Sequence, residues 1–323
     1  MRQLLSQSEV VVGASGLVKR YGRTRALDGL DLEVHQGRVH GFLGPNGAGK
    51  STTIRALLGQ LRLHGGRLTV FGLDPWRDAP RVHGRLAYVP GDVSLWPGLT
   101  GGECIDVLGR FQGRQDPRRR DQLIERFELD PTKRASSYSK GNRQKVALVA
   151  ALAYDAELYV FDEPTSGLDP LMEAEFQQVV RELHAGGATV LLSSHILAEV
   201  EALCDEVTII RSGRAVSSGT LEDLRAGATL SVRAVTTAPI TGLTSVRGVT
   251  HVSTSSDGDG IRTDLTATRE ALPQALEALS KARPRDLAVA PPSLEQLFLE
   301  HYEDDARDID GVGERVSAGA TSS

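Results

Sequence analysis

Residues Gly44-Pro45-Asn46-Gly47-Ala48-Gly49-Lys50-Ser51 decide how this chain folds. They fit G-x-x-x-x-G-K-[ST], a loop that wraps phosphate oxygens in backbone N–H groups. The apolar run at 39–43 before it predicts a buried strand. Residues 52–61 after it predict a helix, with Ile54, Leu57, Leu58 and Leu61 as its apolar positions. Gly44, Gly47 and Gly49 permit backbone geometry and close approach that side chains block. The following helix points its positive end and unpaired N–H groups at the anion. In that frame Lys50 reaches the β- and γ-phosphates and the Ser51 hydroxyl ligates Mg²⁺. The loop by itself means a nucleoside triphosphate, not any particular machine.

Outward from the loop, residues 158–163 read Leu-Tyr-Val-Phe-Asp-Glu. Four large apolar residues entering two acids predict a central parallel strand with carboxylates at its C-terminal end, where α/β proteins place their chemistry. Asp162 is positioned to hold Mg²⁺ through water. Glu163 is positioned to polarise a water for in-line attack on the γ-phosphorus. Paired acids at a strand tip also serve as loop solvation or caps; roughly one hundred residues beyond a phosphate loop, they point to hydrolysis. A loop (PTSGLDP), a helix over 171–184 and a strand over 188–193 lead to Ser194-His195. A histidine after a strand is, on its own, more often a solvent or core residue than a catalytic one.

The remaining segments frame this core. With 323 residues the chain is long enough for one large or two modest domains. The first nine residues read as a flexible leader, and 10–34 as the antiparallel edge of a sheet carrying Tyr21. From about 95 to 153 the texture turns helical, with helices predicted over 100–110, 117–129 and 143–154. Residues 10–225 make one α/β domain, 229–302 a small α+β module with no titratable cluster of its own, and 303–323 a disordered tail. The formal net charge of −5 argues against a nucleic-acid partner. Cys104 and Cys204 lack metal-ligand spacing and read as small apolar residues in a reducing cytosol. No stretch approaches the ~18 apolar residues of a membrane span, and no signal peptide precedes the domain. Any membrane role therefore calls for another chain.

In order along the chain, GPNGAGKST, YSKGN, LYVFDEP, SGLD and SSH resemble the ATP-binding cassette (ABC) family over about 10–225. The resemblance implies a P-loop ATPase core with an antiparallel β subdomain and a helical subdomain, plus the C-terminal α+β domain. It implies ATP and Mg²⁺ as ligands, with the phosphates held by Gly44, Pro45, Asn46, Gly47, Ala48, Gly49, Lys50, Ser51 and Thr52. Tyr21 would stack on adenine; from its position alone it is a surface strand tyrosine. Lys50, Glu163 and His195 would be catalytic, with His195 at the γ-phosphate helping to position Glu163 and water. Ser51 and Asp162 would face the metal. Ser139 and Gly141 would touch the γ-phosphate bound to a second copy of the chain, and Asp169 would link the two sites across that dimer. Where the family carries a metal-binding glutamine this chain has Gly91, followed by Asp92, so Asp92 or water takes that place. Tyr138, Lys140 and Asn142 also depart from the family's LSGGQ, Lys140 adding a cation near the site or extending into solvent.

The YSKG form and residues 292–299 (PSLEQLFL) resemble the daunorubicin-resistance-like drug-exporter branch, whose ATPase subunits pair with a separate polytopic permease. The same eight residues also read simply as an amphipathic packing helix. Trp96 is either an anchor for that permease or a core residue. The expected function is an ATPase subunit, peripheral on the inner face of the cell membrane, powering export of a drug-like or lipid-like compound. An importer subunit and a soluble ABC protein acting on ribosome or DNA are the alternatives. A P-loop kinase would leave YSKGN and SGLD unexplained.

Overall fold

The computed structural model describes residues 9–112, 116–226 and 229–291. A hairpin opens it, β1 (Val10–Tyr21) and β2 (Thr24–His35), followed by β3 (Val39–Leu43), the glycine loop and α1 (Lys50–Leu57). Then come β4 (Gly65–Val70), α2 (Ala79–His83) and β5 (Leu86–Val89). The helical stretch holds α3 (Gly101–Gln112), α4 (Pro117–Arg126) and α5 (Lys140–Leu152). Strand and helix next alternate through β6 (Leu158–Asp162), α6 (Pro170–Ala185), β7 (Thr189–Ser194), α7 (Leu197–Leu203), β8 (Glu206–Arg211), β9 (Arg214–Thr220) and α8 (Leu221–Ala226).

Six strands form the main sheet in the order β5-β6-β7-β3-β8-β9, parallel except for β9. Every residue of β3, β6 and β7 is buried, which is why these strands are apolar runs rather than alternating patterns. The antiparallel sheet β2-β1-β4 shares a hydrophobic core with α1 and the main sheet, through Leu17, Leu30, Val34, Ile54, Leu57 and Val160. Register matters most here. Leu43 pairs with Ser194 and Asp162 with Ser193, so the ends of β3, β6 and β7 lie level at one edge. The loop after β3, Glu163 after β6 and His195 after β7 leave the sheet side by side.

The two helices that flank the site differ from expectation at their ends. The helix predicted over 52–61 runs from Lys50 to Leu57. Gly49 (φ 116) ends the loop and the helix begins at the next residue, bringing Lys50 into its first turn. The helix expected over 143–154 starts at Lys140, because the Ser139 hydroxyl caps it by accepting from the Asn142 N–H at 3.2 Å. The helix expected over 117–129 stops at Arg126.

Contacts divide the chain after Leu221. The second unit is a four-stranded antiparallel sheet in the order β11 (Val249–Asp257), β12 (Gly260–Ala267), β10 (Leu230–Thr236), β13 (Asp286–Ala290). With α9 (Leu272–Lys281) it encloses a core that includes Val232, Ala234, Leu265 and Leu279. The expected leader (apart from Glu9), the packing helix read at 292–299 and the tail lie outside the described residues. Among the described residues no helix is long and apolar enough to cross a membrane.

Candidate active site

Lys50 carries the only cationic group of the glycine loop, and it is buried at 6% exposure. Its Nζ donates to the Gly44 carbonyl at 2.5 Å and the Pro45 carbonyl at 3.4 Å, and lies 3.3 Å from Glu163 Oε1. The other carboxylate oxygen of Glu163 is hydrogen-bonded to His195 Nδ1. Lys50, Glu163 and His195 thus form one contact chain, assembled from the ends of three neighbouring strands. Glu163 occupies the left-handed region at φ 51, and its N–H donates to the Ser193 carbonyl at 2.9 Å.

Asp162 stands one residue back on β6, buried at 7% exposure, and its Oδ1 has no hydrogen-bond partner among the described residues. Burial raises its pKa, opposed by the nearby Ser193 and Ser51 hydroxyls. An orphaned buried carboxylate oxygen beside the Ser51 hydroxyl suits a small hard cation, which takes its remaining oxygens from phosphate and water. The residues present fit Mg²⁺. Among the described residues no three His, Cys, Asp or Glu side chains gather as a metal cage, so a cation here relies on such outside oxygens.

Asn46, Ser51, Asp162, Glu163 and His195 line one cleft of about 410 Å³. Arg55, Tyr88 and Ser166 also line it, and nothing in the motif reading singled them out. Arg55 is the position one helical turn beyond Ser51, a spacing that would have found it. Burial, with Asp162 adding to it, pushes the Tyr88 hydroxyl up to about 12. Gly91 and Asp92 line the cleft too. A Cβ on Gly91 would lie 2.9 Å from the Asp162 carbonyl, so the segment packs on the β6 end as only glycine allows. Asp92 makes no side-chain hydrogen bond or ion pair among the described residues.

Other expected residues lie elsewhere. Tyr21 ends β1, half exposed, with Lys19 Nζ 5.3 Å from its ring centre. Ser139 caps α5 and Gly141 sits in its first turn. Asp169 caps α6, accepting from the N–H groups of Leu171 and Met172 at 3.1 Å. None of the four lines the cleft. Lys140 reaches back to it, its Nζ 2.6 Å from Ser166 Oγ. The Lys140 side chain is exposed, so it lies near the cleft and open to solvent at once. Trp96 is 44% exposed and is not a core residue.

The chain is similar to known proteins. A family profile described as ABC transporter matches residues 27–166. Over 310 residues the chain is 36% identical to the daunorubicin resistance ATP-binding protein DrrA3 of Streptomyces coeruleorubidus, covering 93% of this chain and 98% of that protein. It is 31% identical over 299 residues to the linearmycin resistance ATP-binding protein LnrL of Bacillus subtilis, covering 88% and 96%. A solved structure of an ATP-binding subunit of an ABC transporter superposes with a TM-score of 0.62 at 31% identity, covering 67% of this chain and 92% of that one. A dimeric cassette in a post-hydrolysis state with ADP and Pi has a TM-score of 0.59 at 21% identity, covering 65% and 98%. That last likeness speaks for the fold alone.

Proposed function

The chain belongs to the ABC transporter family as an ATP-binding, ATP-hydrolysing subunit, and we propose that two copies close over two Mg-ATP to power a separate membrane permease. The observation that carries this reading is the convergence of Lys50, Glu163 and His195 beside the unpartnered Asp162 oxygen.

Each residue then has a task. Lys50 exchanges its carbonyl partners for β- and γ-phosphate oxygens, held by the loop from Gly44 to Thr52. Ser51 and Asp162 hold Mg²⁺, which when bound neutralises charge building on the phosphate oxygens. Glu163, released from Lys50 by the same exchange, accepts a proton from the attacking water. His195 orients that carboxylate and donates toward the γ-phosphate. Tyr21 stacks on adenine. Ser139 and Gly141, outside their own cleft, serve the γ-phosphate of the second copy, and Asp169 links the two sites. The relatives named for resistance to daunorubicin and linearmycin support export of a drug-like or lipid-like compound. The subunit would work at the cytoplasmic face of the membrane, held there by the permease.

The test is recovery of tagged Glu163→Gln from detergent-solubilised membranes in ATP, with bound proteins identified by mass spectrometry. A polytopic membrane protein is the expected partner. Ribosomal or chromosomal proteins alone would overturn the transport role and leave the ATPase chemistry standing.

A further inference from the structure

α7 has one residue out of character. Its buried positions are Glu199, Val200 and Leu203, and Glu199 is only 4% exposed. Burying a carboxyl is costly unless its oxygens are satisfied. Glu199 Oε2 accepts from Ser194 Oγ at 2.6 Å, while Oε1 has no partner of its own within hydrogen-bond geometry. The Thr165 hydroxyl lies close by and favours the ionised carboxyl. Burial raises its pKa, and these two hydroxyls oppose the rise. A leucine here would fill space at lower cost, so packing alone does not account for the acid.

Its two partners explain it. Ser194 immediately precedes His195, and its Oγ also accepts from the Ile196 N–H at 3.0 Å, which fixes the turn that carries the histidine. Thr165 lies two residues beyond Glu163 and is itself buried; its carbonyl accepts from Leu168 and closes the loop that leads to Asp169. One carboxyl therefore sits between the loop after β6 and the loop after β7, bonded to the second and beside the first. Those loops carry the two side chains that meet as Glu163 and His195.

We propose that Glu199 is a positioning residue, a latch that binds the Ser194 hydroxyl, sits beside the Thr165 hydroxyl and so sets the Glu163–His195 contact. The proposal rests on the ATPase reading for its catalytic consequence, though not for the latch itself. Glu199 does not line the cleft. Its removal therefore affects turnover and leaves nucleotide binding to the glycine loop.

Two readouts test it. Hydrogen–deuterium exchange on the full chain follows residues 163–169 and 194–203 without any need for ATP turnover. Glu199→Ala is expected to speed exchange in both segments, and Glu199→Gln, which keeps an acceptor oxygen, to restore it. Faster exchange confined to 194–203 would overturn the latch, since that is the mark of a damaged helix alone. In steady-state hydrolysis, Glu199→Ala is expected to lower kcat by about tenfold to a hundredfold, the scale of a small misplacement of reacting groups. KM for ATP should stay within about twofold, with Gln recovering most of the loss. Equal losses in Ala and Gln would also overturn it. If Glu199→Ala does not fold, Thr165→Val and Ser194→Ala each break one arm. Either should speed exchange in the segment across the latch, and no change there sinks the proposal. Wild-type chain that hydrolyses no ATP would instead sink the ATPase reading, with the exchange result unaffected.

Discussion

At Glu163 the left-handed backbone, φ 51, costs an L-residue about 1–2 kcal/mol. Such strain persists where surrounding structure over-determines it, and functional sites are its common location. Here the Ser193 carbonyl holds the N–H while Lys50 and His195 hold the carboxylate. Glu163→Gln keeps the bend and the size but removes the base. ATP should still bind, while hydrolysis falls by about 10²–10⁴-fold in a single-turnover assay; undiminished turnover would remove Glu163 from the role of base. A second carboxylate gives a pH signature. The His40 ring 3.6 Å away and a hydrogen bond with His35 at 2.9 Å hold Glu206 down at about 2, against an ordinary value of 4.5. Folded chain keeps this carboxylate ionised at acidities where unfolded chain has protonated it. The stabilisation is complete above pH 4.5 and is lost as pH falls toward about 2. Thermal midpoints measured across that range should fall more steeply for wild type than for Glu206→Gln, and parallel curves would refute the linkage. That Lys50, Ser51, Asp162 and Glu163 come together was legible because they lie in short contiguous strings. The bend at Glu163 and the burial of Glu199 were not, because both depend on how β6, β7 and α7 meet.

Element interiors were easier to read than element ends. The apolar spacing of Ile54, Leu57 and Leu58 predicts α1, yet the helix closes earlier than the pattern does. Gly59 at φ 65 takes the left-handed C-terminal position, donating to the Ala56 carbonyl, while Gln60 donates to Arg55, both at 2.9 Å. α4 ends by the same pair of bonds, Glu128 to Glu125 and Leu129 to Ile124, with Glu128 at φ 49. Glycine signals such an end and glutamate does not, so the second stop was invisible in the sequence. The two sites predict opposite effects. Gly59→Ala forces a Cβ into the left-handed region and against the Pro75 carbonyl, a loss of about 2 kcal/mol or more. Glu128→Gly relieves strain at an exposed position and should gain up to about 1 kcal/mol. Urea denaturation midpoints at equal m-value decide both; shifts of the same sign would reject the shared explanation.

On the scale of the whole molecule, alternating strands and helices with an antiparallel edge and a helical insert identified the class. The strand order β5-β6-β7-β3-β8-β9 was beyond reach, since strands buried on both faces carry no alternation from which to read neighbours. That order brings Lys50, Glu163 and His195 together but leaves Ser139 and Gly141 outside the cleft. If those two serve a phosphate, it belongs to another copy. Glu163→Gln in Mg-ATP should therefore sediment as a dimer holding two nucleotides, and as a monomer in ADP. Adding Ser139→Asp keeps a good helix cap for α5 while setting a carboxylate against the γ-phosphate it would meet across the dimer. The double variant should stay monomeric in Mg-ATP and still bind one nucleotide per chain with the affinity of Glu163→Gln. A dimer of undiminished strength would mean that Ser139 only caps its helix, and that the copies associate through another surface.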